Sequence, residues 1–176
     1  MEIYRIQDKI ISWQKIERTL QKALQLRSRG FSQQEVADRL QIDRTFISRL
    51  ETIGEIRKGQ SIAFIGFPIA NKDEIRIMLE KAGVEFIIIM SEQERLEFVN
   101  KRSGKELMNE MMDLIAQVRA YTTVILAGSD ERLKLLEGIL DAQIISIEIG
   151  ESPITEDKWL DPTWLQKALK SVKNAR

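Results

Sequence analysis

At about 100° per residue along a helix, Arg44, Thr45, Ser48, Arg49 and Thr52 fall on one arc, and Phe46, Ile47, Leu50 and Ile53 fall on the opposite one. The polar arc carries two guanidinium groups, three hydroxyls and no carboxylate. That chemistry suits the major groove of double-stranded DNA. Arginine pairs bidentately with guanine, and serine and threonine reach bases or phosphates.

The elements that would position this face are written on either side of it. Ser32 with Glu35 forms a capping box opening a preceding helix, whose apolar side is Val36, Ala37 and Leu40. The small Ala37 lets a second helix cross closely. Gln41-Ile42 makes the turn with Ile42 pointing inward, and Asp43 caps the next helix. Residues 2 to 29 read as one further helix, because Ile3, Ile6, Ile10, Trp13, Leu20 and Leu24 recur at three-four spacing and Gly30 is the first helix stop. The part from Lys15 would support the pair. The apolar residues before it would pack elsewhere in the chain or against a second subunit.

The stretch resembles the helix-turn-helix of the Cro and phage-repressor class of transcriptional regulators. The matching residues are Ser32-Gln33-x-Glu35-Val36-Ala37, Leu40, Ile42, Ile47-Ser48-Arg49 and Glu51, within about a third of the chain. Gln41 stands where the class has a turn glycine, so a residue with a side chain must take a left-handed conformation there. The class also adds two further helices, whereas this chain turns strand-like soon after Ile56. A three-helix relative of the resolvase or sigma-factor type fits equally, and a plain helical hairpin is the simpler alternative. The resemblance implies double-stranded DNA as partner, with Arg44, Thr45, Ser48 and Arg49 facing bases and Gln33 holding phosphate. It also implies a homodimer on a two-fold site.

Composition narrows the alternatives. Neither Cys nor His occurs in the 176 residues. Disulfides, thiolate metal sites and Ser-His-Asp or Cys-His catalysis are therefore ruled out within the chain, and no metal or cofactor is expected. The net charge of zero divides into 12 Lys and Arg against 8 Asp and Glu over residues 1 to 60, and 15 against 19 thereafter. The positive half carries the candidate DNA face. No apolar run approaches the roughly 20 residues that span a bilayer, and Met1-Glu-Ile-Tyr-Arg5 has no signal-peptide pattern. A cytoplasmic protein without a membrane partner is the expectation.

Gly54 and Gly59 flank a basic Arg57-Lys58, which places a domain boundary there: an all-helical DNA-binding domain over 1–58 and an α/β domain over 59–176. Beyond it, strands are read at 61–67, 84–90, 122–127 and 143–149. Helices are read at 71–82, from Ser91-x-x-Glu94 through Val99, at 106–121, from Ser129 or Asp130 to Leu140, and from Pro162 to near Lys173. Ser103-Gly104 breaks or bends the second of these helices, the one opened by Ser91. Alternation of doubly apolar strands with helices predicts a Rossmann or flavodoxin-like domain with a four-stranded parallel sheet.

Ligands of such sheets bind beyond the carboxyl ends of the strands, which makes Gly66, Asn71, Ser91, Gly128, Ser129 and Asp130 the candidate ligand-site residues. Any strand-to-helix turn needs similar residues. No known fingerprint is complete. Only Gly66 of a dinucleotide motif is present. In a phosphate-loop register Asn71 replaces the second glycine and Asp73 replaces the magnesium-binding hydroxyl. The acidic positions of a phospho-acceptor receiver are taken by Gly66-Phe67 and Gly128. Two functions remain: a DNA-binding regulator whose α/β domain senses a small-molecule effector or assembles the dimer, or a small-molecule enzyme of Rossmann-like fold with an accessory helical domain. A protein-binding adaptor is a third class.

Overall fold

The computed structural model describes residues 2–55 and 61–174. They belong to two compact units, Met1–Glu55 and Ile56–Arg176. The boundary expected between 58 and 59 lies outside the described residues.

The first unit does not begin as a helix. Strands β1 (Ile3–Ile6) and β2 (Lys9–Ser12) form an antiparallel hairpin with Ile3 opposite Ser12 and Ile6 opposite Lys9. Gln7, first of the two turn residues, has φ 53°. The all-helical reading of residues 1–58 is thereby corrected. Ile3, Tyr4, Ile6, Ile10 and Ile11 do carry a three-four spacing, but β-branched and aromatic side chains favour extended backbone, and over so short a stretch the two periods coincide.

Helix α1 starts at Trp13 and runs to Ser28 (Trp13–Ser28), and Gly30 follows at φ 94°. Helix α2 (Gln33–Leu40) opens on the expected capping box. Glu35 N donates to Ser32 Oγ at 3.2 Å, and Ser32 N donates to a Glu35 carboxylate oxygen at 2.7 Å. Gln41 takes the left-handed conformation, φ 52° and ψ 45°, that a missing turn glycine demands. Helix α3 (Arg44–Ile53) is capped by Asp43, which accepts from Thr45 N at 2.6 Å. Ala23, Val36, Ala37 and Ile47 are the buried centre of the unit, with Leu26, Phe31, Leu40, Ile42 and Leu50 packed around them.

The second unit is α/β. Its elements are β3 (Ile62–Gly66), α4 (Lys72–Lys81), β4 (Phe86–Ile89), α5 (Glu92–Asn100), α6 (Gly104–Val118), β5 (Thr123–Ser129), α7 (Asp130–Ile139), β6 (Gln143–Gly150) and α8 (Pro162–Asn174). The four strands are parallel in the order β4-β3-β5-β6. The chain steps outward from β3 to β4, then crosses back over β3 to β5, so the strand order reverses between β3 and β5.

Both sheet faces are buried, as parallel pairing requires. Phe64, Ile125 and Ile147 meet Ile75 and Leu79 of α4 and Leu165, Leu169 and Val172 of α8. On the other face Ala63, Val124 and Leu126 meet Val118 of α6 and Leu133 of α7. Ser103-Gly104 is a true break: Ser103 and Glu106 form a capping box of their own. Asp130 opens α7, whose N-cap Ser129 makes no side-chain capping bond.

One polar side chain ties the loop before α8 to the first crossover. Asn71, almost fully buried, donates to Leu160 O and accepts from Leu160 N, each at 3.0 Å. Truncating it strands two backbone groups away from water. Asn71→Ala is expected to lower the stability of the α/β unit by about 2–3 kcal/mol, read as a shifted denaturant midpoint at unchanged slope. Ile47 is 0 % exposed, and Ile47→Asp would bury an unpaired charge. That variant is expected to unfold the first unit and leave the α/β unit folded, giving a single remaining transition in calorimetry.

Candidate functional site

Helix α3 is held by its inner face. Ile47 is buried and Leu50 half-buried, whereas Phe46, at 46 % exposure, and Ile53, at 84 %, are not in the core. The apolar arc read from the sequence is thus narrower in the fold, because the small core around Ala23, Val36, Ala37 and Ile47 takes in only the inner part of that arc. Outside it, Arg44, Thr45 and Arg49 are exposed and Ser48 is half-buried. Thr45 Oγ1 donates to the Asp43 carboxylate, and Thr52 Oγ1 donates to Ser48 O at 3.0 Å. These two hydroxyls therefore serve the helix itself. No carboxylate among the described residues lies within ion-pair distance of Arg44 or Arg49.

The pose of α3 is fixed by Glu51. Its carboxylate accepts from Arg27 Nε of α1 and, at 2.7 Å, from Gln33 Nε2 at the start of α2. Arg27 also donates to Phe31 O. One carboxylate thereby joins all three helices. The Arg27 hydrogen bond, followed by that from Gln33, holds the Glu51 carboxyl below its ordinary value of 4.5. Gln33, expected to hold phosphate, is engaged as a strut. It also lines a shallow depression of about 360 Å³ with Arg27, Ser32, Gln34 and Arg44. Arg44 thus lies beside the first turn of α2, a position suited to a phosphate.

The strand-end residues of the α/β unit do not converge on a common pocket. Asn71 is committed to Leu160. Ser91 caps α5, accepting from Glu94 N at 3.2 Å. Ser129 is fully buried and accepts from Ser152 Oγ at 2.7 Å, while Asp130 accepts from Ser152 N at 2.8 Å. Gly66 is a packing glycine, since a Cβ there would stand 2.7 Å from the Phe64 ring. Gly128 is buried on the Leu133 and Phe67 side.

A cavity of about 520 Å³ lies instead beside these ends, between β3 and β4 on one side and α5, α6 and α7 on the other. Ile65, Phe67, Ile88, Leu107, Leu114 and Ile115 line it, and Arg95 is a charged contributor. The signal that could have located it is α6, where Leu107, Met108, Met111, Met112, Leu114, Ile115 and Val118 cover more of the helix than one core face uses. Among the described residues no acidic cluster is placed to hold a metal ion.

A carboxyl held below 4.5 stabilises the fold above that pH and loses its contribution as pH falls through the depressed value. The melting temperature of the first unit is therefore expected to drop more steeply below pH 4.5 in the wild type than in Glu51→Gln, with Glu51→Gln the less stable protein at pH 7. Thermal melts at a series of pH values measure this difference. No family model, curated protein or solved structure matches this chain.

Proposed function

We propose that the chain is a sequence-specific DNA-binding transcriptional regulator. Its first unit acts as a helix-turn-helix of the Cro and phage-repressor kind, and its second as a Rossmann or flavodoxin-like domain that senses an effector or assembles the dimer. The observation carrying the reading is the pair Arg44 and Arg49. Both are exposed on α3 and form no ion pair, on a helix held by Ile47 and by the Arg27–Glu51–Gln33 cluster. A rigid helix with exposed guanidiniums pays little further ordering cost when it docks in a groove. Arg44 and Arg49 then face bases with Ser48 beside them. Thr45 contributes as an acceptor, and Gln33 with the α2 N-terminus meets the backbone.

In this reading the α/β unit performs no catalysis. The strand order, which reverses between β3 and β5, would also suit a small-molecule enzyme. Asn71, Ser91, Ser129 and Asp130 near that reversal are hydrogen-bonded within the protein, however, which favours the regulator. Ile3, Ile6, Ile10 and Trp13 are exposed on and beside the hairpin. They supply an apolar surface for a homodimer, which a short recognition helix needs in order to read enough base pairs.

With an operator selected from random duplexes, Arg44→Ala and Arg49→Ala are each expected to weaken specific binding by about 1–3 kcal/mol, with circular dichroism unchanged. Wild-type affinity in both variants sinks the assignment of this face. Light scattering is expected to give twice the chain mass of 20.4 kDa. A mass that stays at the monomer value as the protein is concentrated sinks the dimer.

A further inference from the structure

Phe46 and Ile53 belong to the apolar arc of α3 in the sequence, yet neither packs against the core of the first unit. Phe46 is 46 % exposed and Ile53 84 %. Single apolar side chains on a surface are ordinary, but these two share one edge of the helix. Phe46, Arg49 and Ile53 follow one another at i, i+3 and i+7, which brings them to neighbouring positions along α3. Arg49 stands between the other two and is itself exposed. The opposite edge of the same face carries Arg44 and Ser48. The face therefore has a polar border and an apolar one, and the apolar border begins in the first turn, beside Thr45.

A major groove offers an exposed aromatic ring few partners. Phosphates, carbonyls, ring nitrogens and amino groups are polar, and covering one with hydrocarbon costs its hydrogen bonds to water. The C5 methyl of thymine is the one methyl group that a base pair presents there. In helix-turn-helix docking the N-terminal residues of the second helix approach the base edges. Phe46, in the first turn of α3, is then at the level of the bases. Ile53 lies about 10 Å further along the axis, toward the end of the helix that leaves them.

We propose that Phe46 makes the protein selective for thymine, by laying its ring on the C5 methyl group of a thymine next to, or one step removed from, the guanine that Arg49 pairs with. The inference rests on the DNA-binding reading above and adds a base preference that the arginines do not give. The helix rises about 4.5 Å from Phe46 to Arg49 and successive base pairs about 3.4 Å, which sets that spacing.

The test starts from an operator selected from random duplexes with the full chain. Each thymine is replaced in turn by deoxyuridine, which pairs identically and lacks only the methyl group. Affinities are measured by fluorescence anisotropy at a salt concentration low enough for every variant to bind. One thymine beside the guanine, itself located as the base at which Arg49→Ala loses its preference, is expected to be sensitive. Removing its methyl is expected to weaken binding about three- to fivefold, as the burial of one methyl group implies. Phe46→Ala is expected to bind the thymine and deoxyuridine duplexes equally. Thr45→Ser, which removes the neighbouring methyl of the protein, and Ile53→Ala are each expected to keep the wild-type ratio. The proposal is overturned if no thymine is sensitive, if Phe46→Ala keeps the ratio, or if Thr45→Ser or Ile53→Ala abolishes it. It is overturned too if Phe46→Ala is unfolded by circular dichroism, since the ring would then serve the core. Half the wild-type mass for that variant in light scattering also overturns it, since the ring would then face a second copy. Failure of the DNA-binding reading is a separate result: no duplex is selected at all, and the inference falls with it.

Discussion

A parallel sheet cannot stand in water on either face, because its crossover connections must return across it. Everything in the α/β unit follows from how the chain meets that requirement. One face is closed by α4 and α8, with Phe64, Ile125, Leu165 and Val172 fully or almost fully buried. The other face has a longer connection to accommodate, since the chain must leave β4 and cross β3 to reach β5. Two helices fill that connection where one would suffice, and the pair covers the sheet loosely. The cavity is the geometric residue of that crossover.

The first unit faces the opposite difficulty of too little apolar material. Four buried side chains, two of them alanines, form its centre. Hydrophobic burial at about 25 cal/mol per Å² gives such a core limited hold on the angle of α3. The Arg27–Glu51–Gln33 cluster supplies directional contacts that apolar packing lacks. Only about a third of each side chain's surface is exposed in the Arg27–Glu51 pair, so solvent screens it less than an ordinary surface pair. Its charges are satisfied within the fold, whereas Arg44 and Arg49 form no ion pair among the described residues.

The strand-end residues illustrate why a turn sequence is weak evidence for a ligand. Asn71, Ser91, Ser129 and Asp130 have the chemistry of a binding site, and the fold uses each to satisfy backbone or side-chain groups of neighbouring loops. Buried polar groups must find partners, and the nearest are the protein's own. Arg132 Nη1 is an exception at the same end of the sheet.

The sequence by itself determined the elements whose signals are local. Capping boxes at Ser32 and Ser91, the Asp43 cap, the left-handed Gln41 and the four apolar strands depend on residues within one turn or strand, and each is where its sequence placed it. The hairpin at residues 3–12 was not determined in this way, because β-branched residues at three-four spacing satisfy both periods. Tertiary structure alone decided three matters. It narrowed the inner face of α3 to Ile47 and Leu50, turned Gln33 and Asn71 into struts, and opened the cavity under α5 and α6. Each depends on residues far apart in the chain, such as Arg27 with Glu51, Asn71 with Leu160, and Phe67 with Arg132. No local spacing encodes which of them meet.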